Sequence, residues 1–384
     1  MNEPIPLARP ELGPREEELL LEVVRSGSLS LGPKLEQFEH DFGEWLGGGY
    51  AVAVSSGTAA LHLGVRAMGW GEGDEVITSP LSFVATANSL LYEGAKPVFC
   101  DIDPVTFNVD PAAVAATVSE STSGLLPVHI FGYPADLQAL AEIASAKALG
   151  VLEDACQALG AVDSLGKKVG TAGNIATFAF YANKQMTTGE GGVLSTPDKE
   201  VAARVRSERN QGRAPDMAEV EHDRIGFNYR LSDVHAALGI AQVERLGEML
   251  NARDNVAALY RERLTQLGAA PAGEEDGADL VLPCENSGEE RRSWFVFVVQ
   301  LPATADRDVV ISSLASNGIA SKAYLPCIHL LPPYRERYGF SGGEFPVAER
   351  VSERSLALPF FTSMTETQVD RVCTALGEAL GMRP

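Results

Sequence analysis

Short apolar runs alternate with longer amphipathic stretches over roughly the first two thirds of the chain. The run Tyr50–Val54 predicts a strand, and Ala59–Met68 after it has the apolar spacing of a helix. Helical spacing returns at Ala135–Leu149, and further strands are predicted at Glu75–Ile77, Pro97–Cys100, Gly124–Val128, Gly150–Leu152 and Thr177–Tyr181. This alternation predicts an α/β fold with a mainly parallel sheet covered by helices on both faces.

The pattern changes after residue 230. The stretch Leu231–Leu267 is strongly helical, and Gly268–Glu290 is rich in Gly, Ala, Pro and acidic residues, which indicates a loop or domain margin. Strand and helix patterns then follow at Trp294–Leu301, Arg307–Asn317 and Ile319–Tyr324. We therefore predict a large domain over residues 1–250 and a smaller C-terminal α/β domain over residues 251–384.

Composition and charge narrow the class of protein. The chain has 384 residues, of which 45% are hydrophobic, and its net charge is −21. This charge argues against nucleic-acid binding, which depends on Lys and Arg neutralising phosphates. No apolar run approaches the ~20 residues of a membrane helix, and the N-terminus does not resemble a signal peptide, so we expect a cytoplasmic protein. The five cysteines are scattered without zinc-binding spacing, and no metal site is predicted.

Candidate chemistry lies just after three strands, where open parallel sheets bind their ligands. Ser55–Ala59 leads from a strand into a helix, whose first N–H groups suit a phosphate-sized anion. The alternative is an ordinary N-cap formed by Ser56 or Thr58. Asp154 ends a second strand, with Gln157 one helical turn later. The alternative for this carboxylate is again a helix cap.

Lys184 follows the apolar run Phe178–Tyr181 and precedes a segment rich in Thr and Gly. Taken alone, such a lysine is more often a side chain that extends its amine to solvent. Taken together, an anion-binding helix N-terminus, a carboxylate and a lysine suit pyridoxal 5'-phosphate (PLP). The helix N-terminus takes the phosphate, the carboxylate keeps the pyridine nitrogen protonated, and the lysine forms the Schiff base.

Six motifs resemble the DegT/DnrJ/StrS family of nucleotide-sugar aminotransferases, in the order in which that family has them. They are Ser55–Leu61, Gly94–Phe99, Glu153–Gln157, the Lys184 segment with Thr187–Gly192, Gly226–Asp233 and Gly343–Glu349. The similarity runs from about Leu31 to Pro359. It implies the fold type I of PLP-dependent transferases, with a large domain and a small one, and a homodimer with shared active sites.

The resemblance also implies roles for individual residues. Lys184 matches the Schiff-base lysine, Asp154 the partner of the pyridine nitrogen, and Gln157 a polar contact on the ring side of the cofactor. Other matches are the phosphate-binding turn (Gly57, Thr58, Ala59), the aromatic residue that stacks on the pyridine (Phe83, alternatively a core residue) and a phosphate contact from the neighbouring subunit (Asn228). Many relatives carry a serine that helps to hold the phosphate where this chain has Ala179.

The activity implied is transfer of an amino group from L-glutamate to a keto-sugar of a nucleoside diphosphate sugar, through an internal aldimine and pyridoxamine phosphate. The Thr-Thr-Gly-Glu-Gly-Gly segment favours 4-keto over 3-keto sugars. Candidate substrate contacts are Tyr181, Asn183, Arg230, Tyr324 and His329, the last of which is alternatively a structural histidine. Alternative functions are a keto-cyclitol aminotransferase, an enzyme that makes an aromatic amino acid, and a non-catalytic regulator on the same fold.

Overall fold

The computed structural model describes residues 3–214, 221–274 and 278–382, and a seven-stranded sheet is the centre of its larger part. The strands in chain order are β1 (Tyr50–Val54), β2 (Glu75–Thr78), β3 (Lys96–Phe99), β4 (Thr122–Leu126), β5 (Gly150–Asp154), β6 (Ile175–Ala179) and β7 (Gly192–Thr196). Their spatial order is β1-β7-β6-β5-β4-β2-β3. Strand β7 runs antiparallel to both of its neighbours, and the other pairings are parallel.

Helices cover both faces of this sheet because its strands alternate between two cores. Ala51 and Ala53 of β1 face one core with Phe38 and Phe178, whereas Val52 and Val54 face the other. The helices of this part are α1 (Pro14–Ser26), α2 (Pro33–Leu46), α3 (Gly57–Met68), α4 (Ala85–Tyr92), α5 (Pro111–Thr117), α6 (Leu137–Lys147), α7 (Lys199–Arg209) and α8 (Asp233–Glu244). The mainly parallel sheet with helices on both faces is therefore confirmed.

A smaller antiparallel sheet forms the C-terminal part, with strand order β8-β10-β9. Helix α9 (Leu246–Gln266) leads into it. The remaining elements are β8 (Phe297–Gln300), α10 (Arg307–Ser316), β9 (Lys322–Ala323), α11 (Pro332–Tyr338), α12 (Pro346–Arg354), β10 (Ser355–Leu358) and α13 (Glu366–Leu380). Tyr260 of α9 is fully buried in the core of this part, and its hydroxyl donates to the carbonyl oxygen of Pro359 at 2.8 Å.

The N-terminal segment also belongs to the C-terminal core. The N–H of Ile5 donates to the carbonyl oxygen of Gly318 at 2.8 Å, and the N–H of Phe360 donates to that of Leu7 at 2.9 Å. The boundary predicted between residues 250 and 251 falls inside α9 and stays a prediction.

Two sequence expectations differ from the structure in detail. Strand β7 is not among the predicted strands because its segment begins with glycine and resembles a loop. In the structure it lies between β1 and β6. The predicted helix over Leu231–Leu267 is two helices, α8 and α9, which meet at Arg245. Among the residues described, no helix combines the length and the apolar character needed to cross a membrane.

Candidate active site

The N-terminus of α3 lies at the carboxyl edge of the sheet, directly after β1. The Ser56 hydroxyl oxygen accepts from the N–H of Ala59 at 3.1 Å, so Ser56 is the N-cap of the helix. The N–H of Ala59 is bonded within the turn, and its expected contact with the phosphate stays a prediction. The N–H groups of Gly57 and Thr58 have no acceptor inside the helix and are the ones left for an anion.

Gly57 packs directly on the end of β6. A Cβ at Gly57 would lie 2.6 Å from the Cβ of Ala179 and 3.2 Å from Cys156 Sγ, which is closer than side chains approach. Gly192 is equally tight, because its Cβ would lie 2.6 Å from the carbonyl oxygen of Ser56. Ala179 is thus adjacent to the turn that is predicted to bind the phosphate, and the fold leaves little space between them.

Asp154 ends β5 with only 4% of its surface exposed. One carboxylate oxygen accepts from the Thr86 hydroxyl at 2.7 Å, and the other accepts from the N–H of Cys156 at 3.1 Å. Since the single proton of Thr86 is donated to Asp154, the Ser82 hydroxyl must donate to Thr86, at 2.8 Å. Sequence analysis missed Thr86 and Ser82. Their only signal was two hydroxyl residues four apart in an otherwise apolar stretch.

We expect Thr86→Val to destabilise the protein by about 2 kcal/mol, because a buried carboxylate oxygen would lose its hydroxyl donor. Thr86→Ser keeps the hydroxyl and is the matched control, with a smaller loss. Urea unfolding measures both differences. Equal stability of Thr86→Val and the unaltered protein would show that this hydrogen bond carries no net free energy.

Lys184 lies in the loop after β6, where its Nζ is 4.0 Å from the centroid of the Phe295 ring. Desolvation lowers the pKa of the amine below its ordinary value, and the nearby Cys156 and Asp154 partly oppose this shift. The structure therefore brings Lys184 and Asp154 together as expected. The same surroundings raise the pKa of the Cys156 thiol well above its ordinary value, chiefly through burial.

Two further residues are predicted to contact the cofactor, Gln157 and Phe83. Gln157 is buried, and its amide oxygen accepts from the N–H of Phe131 at 3.1 Å, which fixes the side chain. Phe83 is 60% exposed, so the alternative role as a core residue is excluded. Its ring is free to contact a ligand.

The remaining predicted contacts, to the substrate and across the dimer, differ in how far they are exposed and in what they contact. Tyr181 and Asn228 are exposed, whereas the buried side-chain oxygen of Asn183 has no hydrogen-bond partner among the described residues. Arg230 donates to the side-chain oxygen of Asn210 at 3.0 Å. The ring of Tyr324 lies 6.3 Å from that of Phe295, and it therefore belongs to the surroundings of Lys184.

His329 has the surroundings expected for its alternative role as a structural histidine, and its role as a substrate contact stays a prediction. Its side chain is fully buried, its Nε2 lies 3.1 Å from Glu349, and desolvation lowers its pKa. His329, Glu344 and Glu349 bring potential ligand atoms within 4.8 Å of one another, so the absence of a metal site stays a prediction.

Comparison with known proteins gives a consistent result. The model of the DegT/DnrJ/EryC1/StrS aminotransferase family matches residues 10–377. The chain is 37% identical to GDP-perosamine synthase of Caulobacter vibrioides, covering 98% of both proteins. It is 35% identical to the spore coat polysaccharide biosynthesis protein SpsC of Bacillus subtilis, covering 98% of this chain and 97% of that protein.

A solved structure of DesV from S. venezuelae, in complex with a ketimine intermediate, matches with a TM-score of 0.90 at 31% identity, covering 100% of both chains. The resemblance noted in the motifs and the fold type I architecture are thereby confirmed. The protein is an aminotransferase, and the chain belongs to the DegT/DnrJ/EryC1/StrS family.

Proposed function

We propose that the protein is a PLP-dependent aminotransferase that moves an amino group from L-glutamate to the keto-sugar of a nucleoside diphosphate sugar in the cytoplasm. A 4-keto sugar is favoured by the Thr187–Gly192 segment. The observation that carries the proposal is the meeting of the Lys184 amine with Asp154 beside the free end of α3. Similarity to proteins named for GDP-perosamine and for spore coat polysaccharide supports the substrate class.

The residues present fit PLP. Lys184 forms no salt bridge with a described carboxylate, so its desolvated amine is available to bond the aldehyde of the cofactor. Asp154 supplies an anion for the pyridine nitrogen. The remaining contacts would come from the N–H groups of Gly57 and Thr58 on the phosphate, from Gln157, and from the exposed ring of Phe83. When bound, PLP withdraws electrons and stabilises negative charge on the carbon that loses its proton.

Lys184 has two roles in this proposal. Its Nζ would hold the cofactor, and once the amino donor has taken that place, the same atom would take the proton from the α-carbon of L-glutamate and pass it to the cofactor. In the second half of the reaction, Nζ would move a proton in the opposite direction, from the cofactor to the sugar carbon that receives the amine. A lowered pKa suits both roles because it leaves more of the amine neutral near pH 7.

We further propose a homodimer with shared active sites. Asn228 is exposed in the single chain, which leaves its amide free to reach the phosphate bound by a second copy. The proposed substrate contacts are the exposed Tyr181, Arg230, and Asn183, whose side-chain oxygen has no hydrogen-bond partner among the described residues. A fully active monomer would contradict the role of Asn228.

The substrate is tested by incubating the enzyme with L-glutamate and candidate 4-keto or 3-keto nucleotide sugars. Release of 2-oxoglutarate is measured for each. We expect faster release with the 4-keto series. Activity on keto-cyclitols alone would contradict the proposed substrate class.

The pH dependence of cofactor uptake tests the environment of Lys184. Only the neutral amine reacts with PLP, so the uptake rate rises with pH and levels off above the pKa of the amine. Because desolvation lowers that pKa, we expect the midpoint below that of a free lysine side chain, which titrates near ~10.4. Visible absorbance of apoprotein mixed with PLP follows the rate, and a lysine peptide is the reference. A midpoint at or above that of the peptide contradicts the proposed environment.

A further inference from the structure

The Lys184 amine lies over the face of an aromatic ring. The Phe295 side chain is buried, with 2% of its surface exposed, and its ring centroid is 4.0 Å from Nζ. Behind it, the Tyr324 ring packs against both Phe295 and Phe131, at centroid distances of 6.3 and 5.8 Å. The amine thus lies against an aromatic cluster, Phe295 and Tyr324, from the C-terminal part of the chain.

A single guanidinium joins the backbone of the lysine to that of the ring. Arg253 Nη2 donates to the carbonyl oxygen of Lys184 at 3.1 Å, and Nη1 donates to the carbonyl oxygens of Trp294 and Phe295 at 3.4 and 3.3 Å. Arg253 is 4% exposed and forms no salt bridge with a described carboxylate. Burial lowers the pKa of Arg253 to about 10, so it stays charged at neutral pH.

A second contact ties the same two segments. The side-chain amide of Gln185 donates to the carbonyl oxygens of Gln157 and Ser293, at 2.7 and 3.2 Å. The N–H of Ser293 donates to the carbonyl oxygen of Gly132 at 2.9 Å. The two backbones are so close that a Cβ at Gly132 would lie 1.7 Å from the carbonyl oxygen of Ser293. A buried guanidinium without a carboxylate partner, such as that of Arg253, lowers the stability of the fold. This destabilising group lies where the Lys184 and Phe295 segments meet.

The groups that face Lys184 act in different directions on its charge. Desolvation favours the neutral amine, while Asp154 and Cys156, at and just after the end of β5, favour the ammonium form. Arg253 of α9 contacts the lysine backbone. The face of the Phe295 ring carries partial negative charge and attracts a cation. The ring therefore also favours the ammonium form and gives it a defined location.

We propose that Phe295 is a positioning residue that holds the Lys184 amine whenever the amine is not bonded to the cofactor, with Arg253 and Gln185 keeping ring and lysine in register. This inference rests on the proposed function, because it assumes that the amine is released and used again in each half-reaction. An amine held over the ring stays beside the site instead of moving into solvent.

The experiment compares Phe295→Leu, Phe295→Tyr and the unaltered apoprotein by the pH dependence of PLP uptake. We expect the midpoint of Phe295→Leu to fall by about 0.5 to 1 pH unit, because the ring no longer stabilises the ammonium form. Phe295→Tyr keeps the aromatic ring, and its midpoint is expected to equal that of the unaltered protein. Phe340→Leu removes a ring of the C-terminal part that packs around His329, and it is expected to leave the midpoint unchanged.

An unchanged midpoint in Phe295→Leu would overturn the inference, as would an equal shift in Phe340→Leu. If Phe295→Leu does not fold, Phe295→Met fills more of the volume without a ring and serves the same measurement. The proposed function fails separately, either because PLP forms no covalent band with the unaltered protein or because the band also forms in Lys184→Ala.

Discussion

Lys184→Ala is expected to lower the rate of amino transfer by at least about 10⁴-fold, the largest effect of any single substitution in this protein. The reason is that, in the proposed function, one amine acts both as nucleophile toward the cofactor and as the base that moves the substrate proton. The variant should also lack the visible absorbance band that PLP forms with the unaltered protein. L-glutamate should bleach that band in the unaltered protein.

Lys167→Ala is the matched control, because Lys167 is an exposed lysine in the 162–169 segment. It should retain both the band and the activity. An unchanged spectrum in Lys184→Ala would refute the assignment of this residue, whatever the activity of the variant.

Asp154→Asn is expected to lower the rate by about 10²- to 10⁴-fold. The amide has nearly the same shape and can still accept from the N–H of Cys156, but it carries no charge to keep the pyridine nitrogen protonated. The cofactor should therefore bind through Lys184 and show a shifted absorbance band, while amino transfer is slow. Stopped-flow measurement of the half-reaction with L-glutamate separates this effect from weaker cofactor binding.

Asp136→Asn is the control for a general effect of losing a carboxylate. Asp136 is exposed and caps α6, a position at which asparagine is equally suitable. A half-reaction in Asp154→Asn as fast as in this control would exclude the proposed role of Asp154.

The parts of the site that follow from local sequence were predictable. Asp154 ends a strand, and Gly57 and Lys184 follow the ends of two others. All three therefore face the crevice beyond the carboxyl ends of a parallel sheet, where ligands bind. Residues that reach the site through tertiary packing were not predictable. Thr86 comes from a helix, and Phe295 from the C-terminal part of the chain, and neither has a motif that marks its role.

The fold shows the same division. The alternation of strand and helix patterns predicted most of the large sheet within a few residues, whereas β7 was missed because it begins with a glycine. Only the folded structure explains this glycine, since a Cβ at Gly192 would lie 2.6 Å from the carbonyl oxygen of Ser56. Ala179 is similar: the sequence shows an alanine where many relatives carry a serine, and the structure adds that a Cβ at Gly57 would lie 2.6 Å from the Cβ of Ala179.

The pairing of Ile5 and Leu7 with the C-terminal part has a practical consequence for anyone who shortens or tags this protein. The chain begins in the C-terminal part of the structure, forms the large sheet, and returns to the C-terminal part through α9. Cutting within α9 would not yield two independent pieces, because the N-terminal piece would contain Ile5 and Leu7, which pair with the C-terminal piece. A fusion partner joined directly before Ile5 would lie beside the hydrogen bonds that connect Ile5 to Gly318 and Leu7 to Phe360, in the C-terminal part of the structure.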